Sequence, residues 1–504
     1  MAEEKCLDID IVPMKVQQKI PKLDRKDTEL LDNLIITIDK ENNKSGHQWR
    51  KDNKIGLGLK FLQRTGSPLL EYCTPKLLPI GPCHAKPSVY NTTNQLKDKL
   101  AAKFIESFAY GKSTRESLLV EIKDNIGEHK NCFEDYVVKD FDDGFLARLL
   151  FLDGCALLQF INSYLLDELE DKFGIDNHEA SMIREDLFLL DNQIPYKVLE
   201  LLVNLTTDPD QLKNAILSFL QMNNMMSPVN YVRGHGHSTS LRIKSKNADH
   251  LLDVLHSLIL FGDDYVGNSS EMDDNTKCLP RCSHRKRNTC CLPNFCCLRG
   301  KVPSLKDYLH VRPGNFNKRF FRNVQELKSA GIKFKPSSGL ATVYFHNICF
   351  KIKGQLKLPA ITVDESTERK LMNLVAYEMC LSGKKKNWYF VTSYIKLMDI
   401  LVDKEQDVID LRASRMLWNR LSTDVKVAQM FNNIGSICVE PPLDVYSNVK
   451  TDIQAHCERM CSIWMAEVYQ DYFRSPWSIL GLFAAAIVLL LTATQTWYAV
   501  NPKV

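Results

Sequence analysis

The chain has 504 residues, of which 44% are hydrophobic, and its formal net charge is +4. This length allows one large core or two to four domains. The near balance of charge argues against a nucleic-acid binder, which concentrates a basic surface. The 16 cysteines are too sparse in so long a chain to predict a disulfide scaffold.

The first 65 residues are polar and charged, and we interpret them as a variable leader. No apolar segment of the kind found in secretory signal peptides lies near Met1. We therefore expect a reducing, cytosolic environment. Four sequons for N-glycosylation begin at Asn43, Asn91, Asn204 and Asn268, but sequons are frequent by chance and argue only weakly for a lumenal body.

Residues 66–261 carry mainly helical signals. Residues 72–90 are rich in proline and glycine, which excludes a long helix and predicts an extended, turn-rich strap. A helix that is apolar on nearly every side belongs in a core. Such a helix is predicted here because apolar residues recur at helical spacing, at Leu146, Leu149, Leu150, Leu157, Phe160 and Ile161. A second apolar helix is predicted over 250–261.

The second half differs in its periodicity. Residues 262–301 have low hydrophobicity and are predicted to form a linker. Residues 302–474 are predicted to form an α+β region. The two-residue period in 341–345, 348–352 and 356–358 predicts a small antiparallel sheet. The fold class is therefore mainly α with a small antiparallel β element.

The C-terminal segment 475–498 is predicted to be a transmembrane helix, followed by a short tail, 499–504. No charged residue lies between Ser475 and Pro502. About 20 helical residues at roughly 1.5 Å each span a hydrocarbon core of about 30 Å, and aromatic residues near both ends suit the two interfaces. The anchor residues are Trp477, Leu480, Phe483, Ile487, Leu490, Trp497 and Tyr498.

A span this close to the chain end would insert after translation. We expect a single-pass protein with its body in the cytosol, in either the plasma membrane or an endomembrane. The alternative is an unusually long core helix in a soluble fold.

The linker holds a cluster of possible metal ligands: Cys278, Cys282, His284, Cys290, Cys291, Cys296 and Cys297. Thiolates and imidazole could hold a tetrahedral zinc ion. The same cysteines lie among basic residues and could instead be acylated at an anionic membrane surface. Their spacing matches no standard two-plus-two zinc pattern, so an unbound variable loop is favoured over both. No cofactor is predicted.

Catalytic signals are weak. The sequence has no nucleophile elbow, no phosphate-binding loop with Gly-Lys-Ser/Thr and no His-Glu-x-x-His helix. Asp153–Gly154 and Asp191–Asn192 are assigned to turns and helix starts, where short polar side chains bond backbone groups. The chain is therefore predicted not to be an enzyme.

Several motifs occur together in the order seen in one plant family. They are Leu77-Leu-Pro-Ile-Gly-Pro-Cys-His84, Phe151-Leu-Asp-Gly-Cys155, 185–195, 324–334, 358–368, 391–394, 431–432 and 471–478. On these residues the chain resembles, over about 72–500, the plant-specific family named domain of unknown function 247. Two departures are Cys83-His84-Ala85, where the family usually has Tyr-His-His, and Asp191, where it has Glu.

The resemblance implies a single-pass plant membrane protein without established enzymatic activity. Some grass members are linked to pollen-side self-incompatibility. The leading hypothesis is a membrane-anchored recognition protein that binds the bilayer and an unidentified protein partner, and no nucleic acid. The alternatives are an unrecognised enzyme whose site assembles only in three dimensions, and a structural tether at an endomembrane.

Overall fold

The computed structural model of the protein is mainly helical, as the sequence predicts. The residues that it describes are 54–56, 58, 62, 68–85, 92–108, 111–226, 241–243, 248–262, 266–268, 323–337, 339–348, 353–381, 389–438, 440–441, 444–473 and 476–500. Most of the predicted leader and nearly all of the predicted linker lie outside these residues.

The first half begins with a 3-10 turn at Pro68–Cys73 and continues in helices. These are α1 (Thr92–Phe108), α2 (Gly111–Asp124), α3 (Ile126–Lys130), α4 (Asp135–Val138), α5 (Asp143–Leu165), α6 (Leu169–Phe173), α7 (Asn177–Asp186), α8 (Tyr196–Asn204), α9 (Pro209–Asn223) and α10 (Leu251–Phe261). A two-stranded antiparallel pair, β1 (Leu241–Ile243) and β2 (Val266–Asn268), flanks α10 in the chain.

Helix α5 is the central element of this half. It begins after Asp142, whose side chain accepts a hydrogen bond from the Phe145 N–H at 2.8 Å, as a favoured N-cap does. Helices α1, α2, α8 and α9 pack against it. In the described part of the chain, α5 is the helix long and apolar enough to cross a membrane, but 72% of its apolar window is buried. The predicted core helix is thus confirmed.

The second half combines helices with short strands. The helices are α11 (Val324–Ser329), α12 (Thr367–Cys380), α13 (Phe390–Leu401), α14 (Glu405–Ala413), α15 (Asp424–Ile437), α16 (Ser447–Phe473) and α17 (Pro476–Val500). The strands are β3 (Ile332–Ser337), β4 (Tyr344–Ile348), β5 (Lys353–Pro359), β6 (Ile361–Val363) and β7 (Leu417–Asn419), and a 3-10 turn lies at Leu340–Thr342.

The three-stranded sheet has the order β3-β5-β4. Strand β4 pairs antiparallel with β5, whereas β3 pairs parallel with it, and β6 also pairs parallel with β7. The predicted antiparallel sheet was therefore wrong in part, and the β element is mixed. Alternation along a strand specifies which face is buried but not the direction of its neighbour.

One contiguous apolar core includes residues of both halves, among them Phe104 and Phe160 from the first and Leu356 and Phe431 from the second. In α16, the buried residues Val449, Ile453, Cys457 and Met460 recur at helical spacing. The first part of α16 thus belongs to the same core.

Helix α17 follows α16 and contains the predicted anchor. The side chains of Ile487, Leu490 and Trp497 are 55%, 66% and 68% exposed. Trp477, Leu480, Phe483 and Tyr498 also lie in this helix, but their side chains are outside the described part. The described apolar stretch, Ala484–Trp497, is shorter than a membrane span, so the C-terminal anchor and its orientation remain predictions.

Candidate functional site

The candidate site is a buried polar cluster beneath the strap, here residues 74–84. Asp186, the last residue of α7, is fully buried. Its carboxylate accepts hydrogen bonds from three consecutive strap N–H groups, at 2.9 Å from Lys76, 2.7 Å from Leu77 and 3.0 Å from Leu78. Hydrogen bonds to a charged acceptor are about twice as strong as neutral ones. Asp186 therefore fixes the start of the strap to the helical body.

Arg369 of α12 completes this contact from the second half of the chain. Its Nη1 lies 3.2 Å from Asp186 Oδ1 and 3.3 Å from Glu185 Oε2. Its Nε donates to the Tyr72 carbonyl at 3.3 Å, and its Nη2 donates to the Thr74 carbonyl. The planar guanidinium thus bonds two carboxylates and two backbone carbonyls at once, which a lysine could not do.

The middle of the strap is held by Asn192 and Asp153. Asn192 Oδ1 accepts from the Ile80 N–H at 2.6 Å, and Asn192 Nδ2 donates to the Leu78 carbonyl at 3.0 Å. Asp153 Oδ2 accepts from the Gly81 N–H at 2.7 Å, and its other oxygen pairs with Lys97 Nζ at 2.8 Å. Each side chain thereby replaces the strand partner that the strap lacks.

Gly81 allows the strap to approach this closely. Its φ is +74°, and a Cβ at this position would lie 2.4 Å from the backbone oxygen of Gln193. Both conditions favour glycine over every residue with a side chain.

Gln193 and Asn373 connect the cluster to the neighbouring elements. Gln193 Nε2 donates to the Leu187 and Leu189 carbonyls at 2.9 and 2.8 Å. Asn373 Oδ1 accepts from the Leu190 N–H at 2.9 Å, while its Nδ2 donates to the Tyr72 carbonyl at 2.9 Å. We call the whole set the strap network: Asp153, Asp186, Asn192, Gln193, Arg369 and Asn373.

The network corrects one part of the sequence analysis. Asp153 lies in the interior of α5, and its carboxylate bonds the Gly81 N–H, 72 positions away. Asp191 lies in a turn, as predicted, and its carboxylate accepts from the distant Gly56 N–H at 3.0 Å. Both side chains bond backbone groups as predicted, but not at their own turn or helix start. A signal for Asp153 existed, because an acid within an apolar helix must have a buried partner.

A small cavity of about 20 Å³ lies beside Asp191, with room for about one water molecule. Burial raises the pKa of the nearby thiol of Cys73 to about 12 and that of Cys380 further. Such thiols stay protonated near neutral pH and are poor nucleophiles. The lining residues are Lys54, Ile55, Gly58, Leu190, Asp191, His250, Tyr377, Cys380 and Leu381.

Two histidines near this region are held neutral by burial, which lowers the pKa of each to about 4. His84 ends the strap. His250 accepts the Asp253 N–H on Nδ1 at 3.2 Å and caps α10.

A second buried cluster, around Glu378, uses its carboxylate in the same way. Glu378 Oε1 accepts from the Val391 N–H at 2.8 Å, and Oε2 accepts from the Thr392 N–H and Oγ1 at 2.9 and 2.7 Å. His256 Nε2 lies 3.1 Å from Oε1. Glu378, on α12, therefore caps the N-terminus of α13 from outside that helix.

The predicted cysteine cluster lies outside the described residues: Cys278, Cys282, His284, Cys290, Cys291, Cys296 and Cys297. Within the described residues, no group of three or more histidine, cysteine or acidic side chains could hold a metal ion.

A family profile described as "Plant protein of unknown function" (DUF247) matches residues 62–491. The chain is also similar to two Arabidopsis thaliana proteins, the UPF0481 proteins At3g02645 and At3g47200, with 24% identity to each. The first alignment covers 84% of this chain and 86% of the relative, and the second covers 84% and 82%. No solved structure matches the chain. Every residue of the strap network lies within the matched range.

Proposed function

The chain belongs to the DUF247 family of plant proteins of unknown function, and from this premise we propose that it is a membrane-anchored recognition protein without catalytic activity. In this proposal α17 holds the protein in the bilayer, and the helical body binds a protein partner from the cytosolic side. The observation that carries the proposal is the exposed, uncharged helix at the end of a well-packed body.

Helix α17 as a whole is long enough for a span, and its described stretch, 484–497, is exposed. Its 25 residues include no acidic or basic side chain, and at roughly 1.5 Å per residue they extend about 37 Å, more than the hydrocarbon core of about 30 Å. The five consecutive side chains from Ile487 to Leu491 are 55–71% exposed. Five consecutive residues point to all sides of a helix, so no face of this stretch is covered by the body.

The threonines of α17 are compatible with lipid. Thr492 Oγ1 donates to the Val488 carbonyl at 2.7 Å, Thr494 to the Leu491 carbonyl at 2.8 Å, and Thr496 to the Thr492 carbonyl at 2.7 Å. Polar groups in a bilayer must find partners within the protein, and these hydroxyls find them on the preceding turn. The helix therefore does not need a partner helix to satisfy them.

The strap network supports a body without catalytic chemistry. Its carboxylates and amides bond backbone groups of the strap and of adjacent loops. A general base must be able to reach a proton of the substrate, whereas Asp186 is buried beneath three backbone N–H groups. We therefore assign the strap network to the stability of the body.

One specific form of recognition is a pollen-side role in self-incompatibility, which rests on the family resemblance alone. Disrupting the gene in a self-incompatible plant should then abolish rejection of self pollen. Unchanged rejection of self pollen would exclude this role and leave the anchoring proposal unaffected. Proximity labelling that gives the same partners for every allele would favour a structural tether instead.

The anchor is tested by extracting microsomes at alkaline pH, which releases peripheral proteins. The wild type should stay in the membrane pellet. The double variant Ile487→Arg/Leu490→Arg should move to the supernatant, because each arginine near the centre of a span disfavours insertion by about 2.5–3.5 kcal/mol. Val120→Arg/Leu166→Arg is the matched control, since both side chains are exposed on the body, 52% and 53%. Release of the wild type, or pelleting of the α17 double variant, would contradict the proposal.

A further inference from the structure

The outer face of the three-stranded sheet is basic. Lys333 and Lys335 are exposed on β3, Lys353 is exposed on β5, and Lys357 on β5 is half-buried. The pairing register places Lys335 directly opposite Lys357, and alternation along a strand puts all four side chains on one face. We call these four lysines the basic sheet face.

The three strands β3, β4 and β5 contain no acidic residue. Like charges placed directly opposite each other destabilise a sheet. Lysines on an edge strand can be explained as protection against edge-to-edge aggregation, and this accounts for Lys333 and Lys335. It does not account for Lys353, because β5 is the central strand. Lys357 is packed within the sheet, with its ammonium 4.9 Å from the ring centroid of Tyr344 on β4. A repulsive cluster that the sheet itself does not require indicates an anionic binding partner.

The opposite face of this sheet contacts the helix that leads to the anchor. His456 of α16 lies 2.7 Å from Asn347 Oδ1 of β4, and its ring packs edge-on against Phe345 at 5.6 Å. Pro476, the first residue of α17, follows His456 by 20 positions, and most of these positions lie in α16. At roughly 1.5 Å per helical residue, they correspond to about 30 Å. The basic sheet face is therefore tethered close to the point where α17 begins.

We propose that the basic sheet face docks on the anionic headgroups of the membrane into which α17 inserts. The inference rests on the proposed function, because it takes the anchor as given. Lysines attract anionic lipid only within about a Debye length, about 8 Å at physiological ionic strength. The segment between the sheet and α17 keeps the basic sheet face near the headgroups. Several lysines can therefore bind headgroups at the same time, although each single attraction is weak. The body then lies against the bilayer in one orientation.

The test uses the full chain reconstituted in nanodiscs, one set of phosphatidylcholine alone and one containing phosphatidylserine as well. Lysines are acetylated with an amine-reactive ester, and the rate at each position is measured by mass spectrometry. Acetylation of Lys333, Lys335 and Lys353 should slow at least about threefold with phosphatidylserine, and high salt should reverse the effect. Nanodiscs carry the same lipids in both leaflets, so the result does not depend on topology.

The matched internal controls are Lys99, Lys139 and Lys213, which are exposed on the first half of the chain. Their acetylation should be equal in the two lipids. In the wild type, acetylation of Lys357 should also slow with phosphatidylserine. In Lys333→Gln/Lys335→Gln/Lys353→Gln, the acetylation of Lys357 should lose this dependence. In Lys99→Gln/Lys139→Gln/Lys213→Gln, that dependence should stay.

The outcomes separate the two proposals. If the chain enters nanodiscs and the three lysines are acetylated equally in both lipids, the basic sheet face is not a lipid site and the anchor stands. If the chain fails to enter nanodiscs of either composition, both proposals fall. Protection by added polyglutamate, without protection by phosphatidylserine, would assign the face to an acidic protein partner and overturn the lipid assignment.

Discussion

Replacing Asp186 with asparagine tests the strap network at a fully buried member. The asparagine oxygen can take the place of Oδ2 and accept from the strap N–H groups. Its NH₂ group then takes the place of Oδ1 and faces Nη1 of Arg369, donor against donor. Arg369 keeps Glu185 as a partner, so the guanidinium is not left entirely unpaired.

The expected loss of stability follows from these contacts. Three charge-assisted hydrogen bonds become neutral ones, and one buried donor loses its acceptor, which together lower the free energy of unfolding by about 3 kcal/mol. Urea unfolding of the full chain in detergent, followed by circular dichroism, measures this change. Trypsin cleavage after Lys76 should also become faster in Asp186→Asn, because the strap detaches more often.

The matched control is Asp142→Asn, which makes the same chemical change at an exposed N-cap. Asparagine caps helices about as well as aspartate, so stability should change by less than about 0.5 kcal/mol. Equal stabilities of the two variants, or unchanged cleavage after Lys76, would refute the assignment of Asp186 to strap attachment.

Three further predictions concern the same region. Gly81→Ala should lower the free energy of unfolding by at least about 2 kcal/mol more than Gly174→Ala in urea titrations, because both have positive φ but nothing lies within 4 Å of a Cβ at Gly174. Asn192→Asp should destabilise by about 3 kcal/mol in the same assay, since a carboxylate would face the Leu78 carbonyl; a stability equal to wild type would contradict this. Burial lowers the pKa of His250 from 6.5 to about 4. Below pH 6.5 the unfolded state therefore binds a proton on His250 that the folded state does not bind. The free energy of unfolding should consequently fall by about 3 kcal/mol as the pH drops from 6.5 to about 4. His250→Asn keeps the cap but cannot titrate, so its stability should vary less with pH over this window, and identical pH profiles would contradict the assignment.

The helices were predictable because their signals are local. The leucines of α5 already show a helix that is buried on nearly every side, and the apolar run 250–261 corresponds to α10. Proline and glycine in the strap excluded a long helix there, and residues 74–84 form none. Each of these features depends on residues within about one or two helical turns.

The strap network could not be derived in this way. Arg369 and Asp186 are 183 positions apart, and Asp153 and Gly81 are 72 apart, so no periodicity relates them. The mixed character of the sheet was also not predicted, since tertiary packing determines that β3 pairs parallel with β5. What the sequence does indicate is that a buried charge such as Asp153 needs a partner, without saying which.

We propose that α17 spans a membrane with the body on the cytosolic side. Protease treatment of intact microsomes carrying the chain, with one epitope tag at each end, tests it most directly. We predict that the N-terminal tag and the body are digested, while a short fragment with the C-terminal tag is protected until detergent is added. Protection of the N-terminal tag would place the body in the lumen, and digestion of both tags without detergent would show that α17 does not span the bilayer.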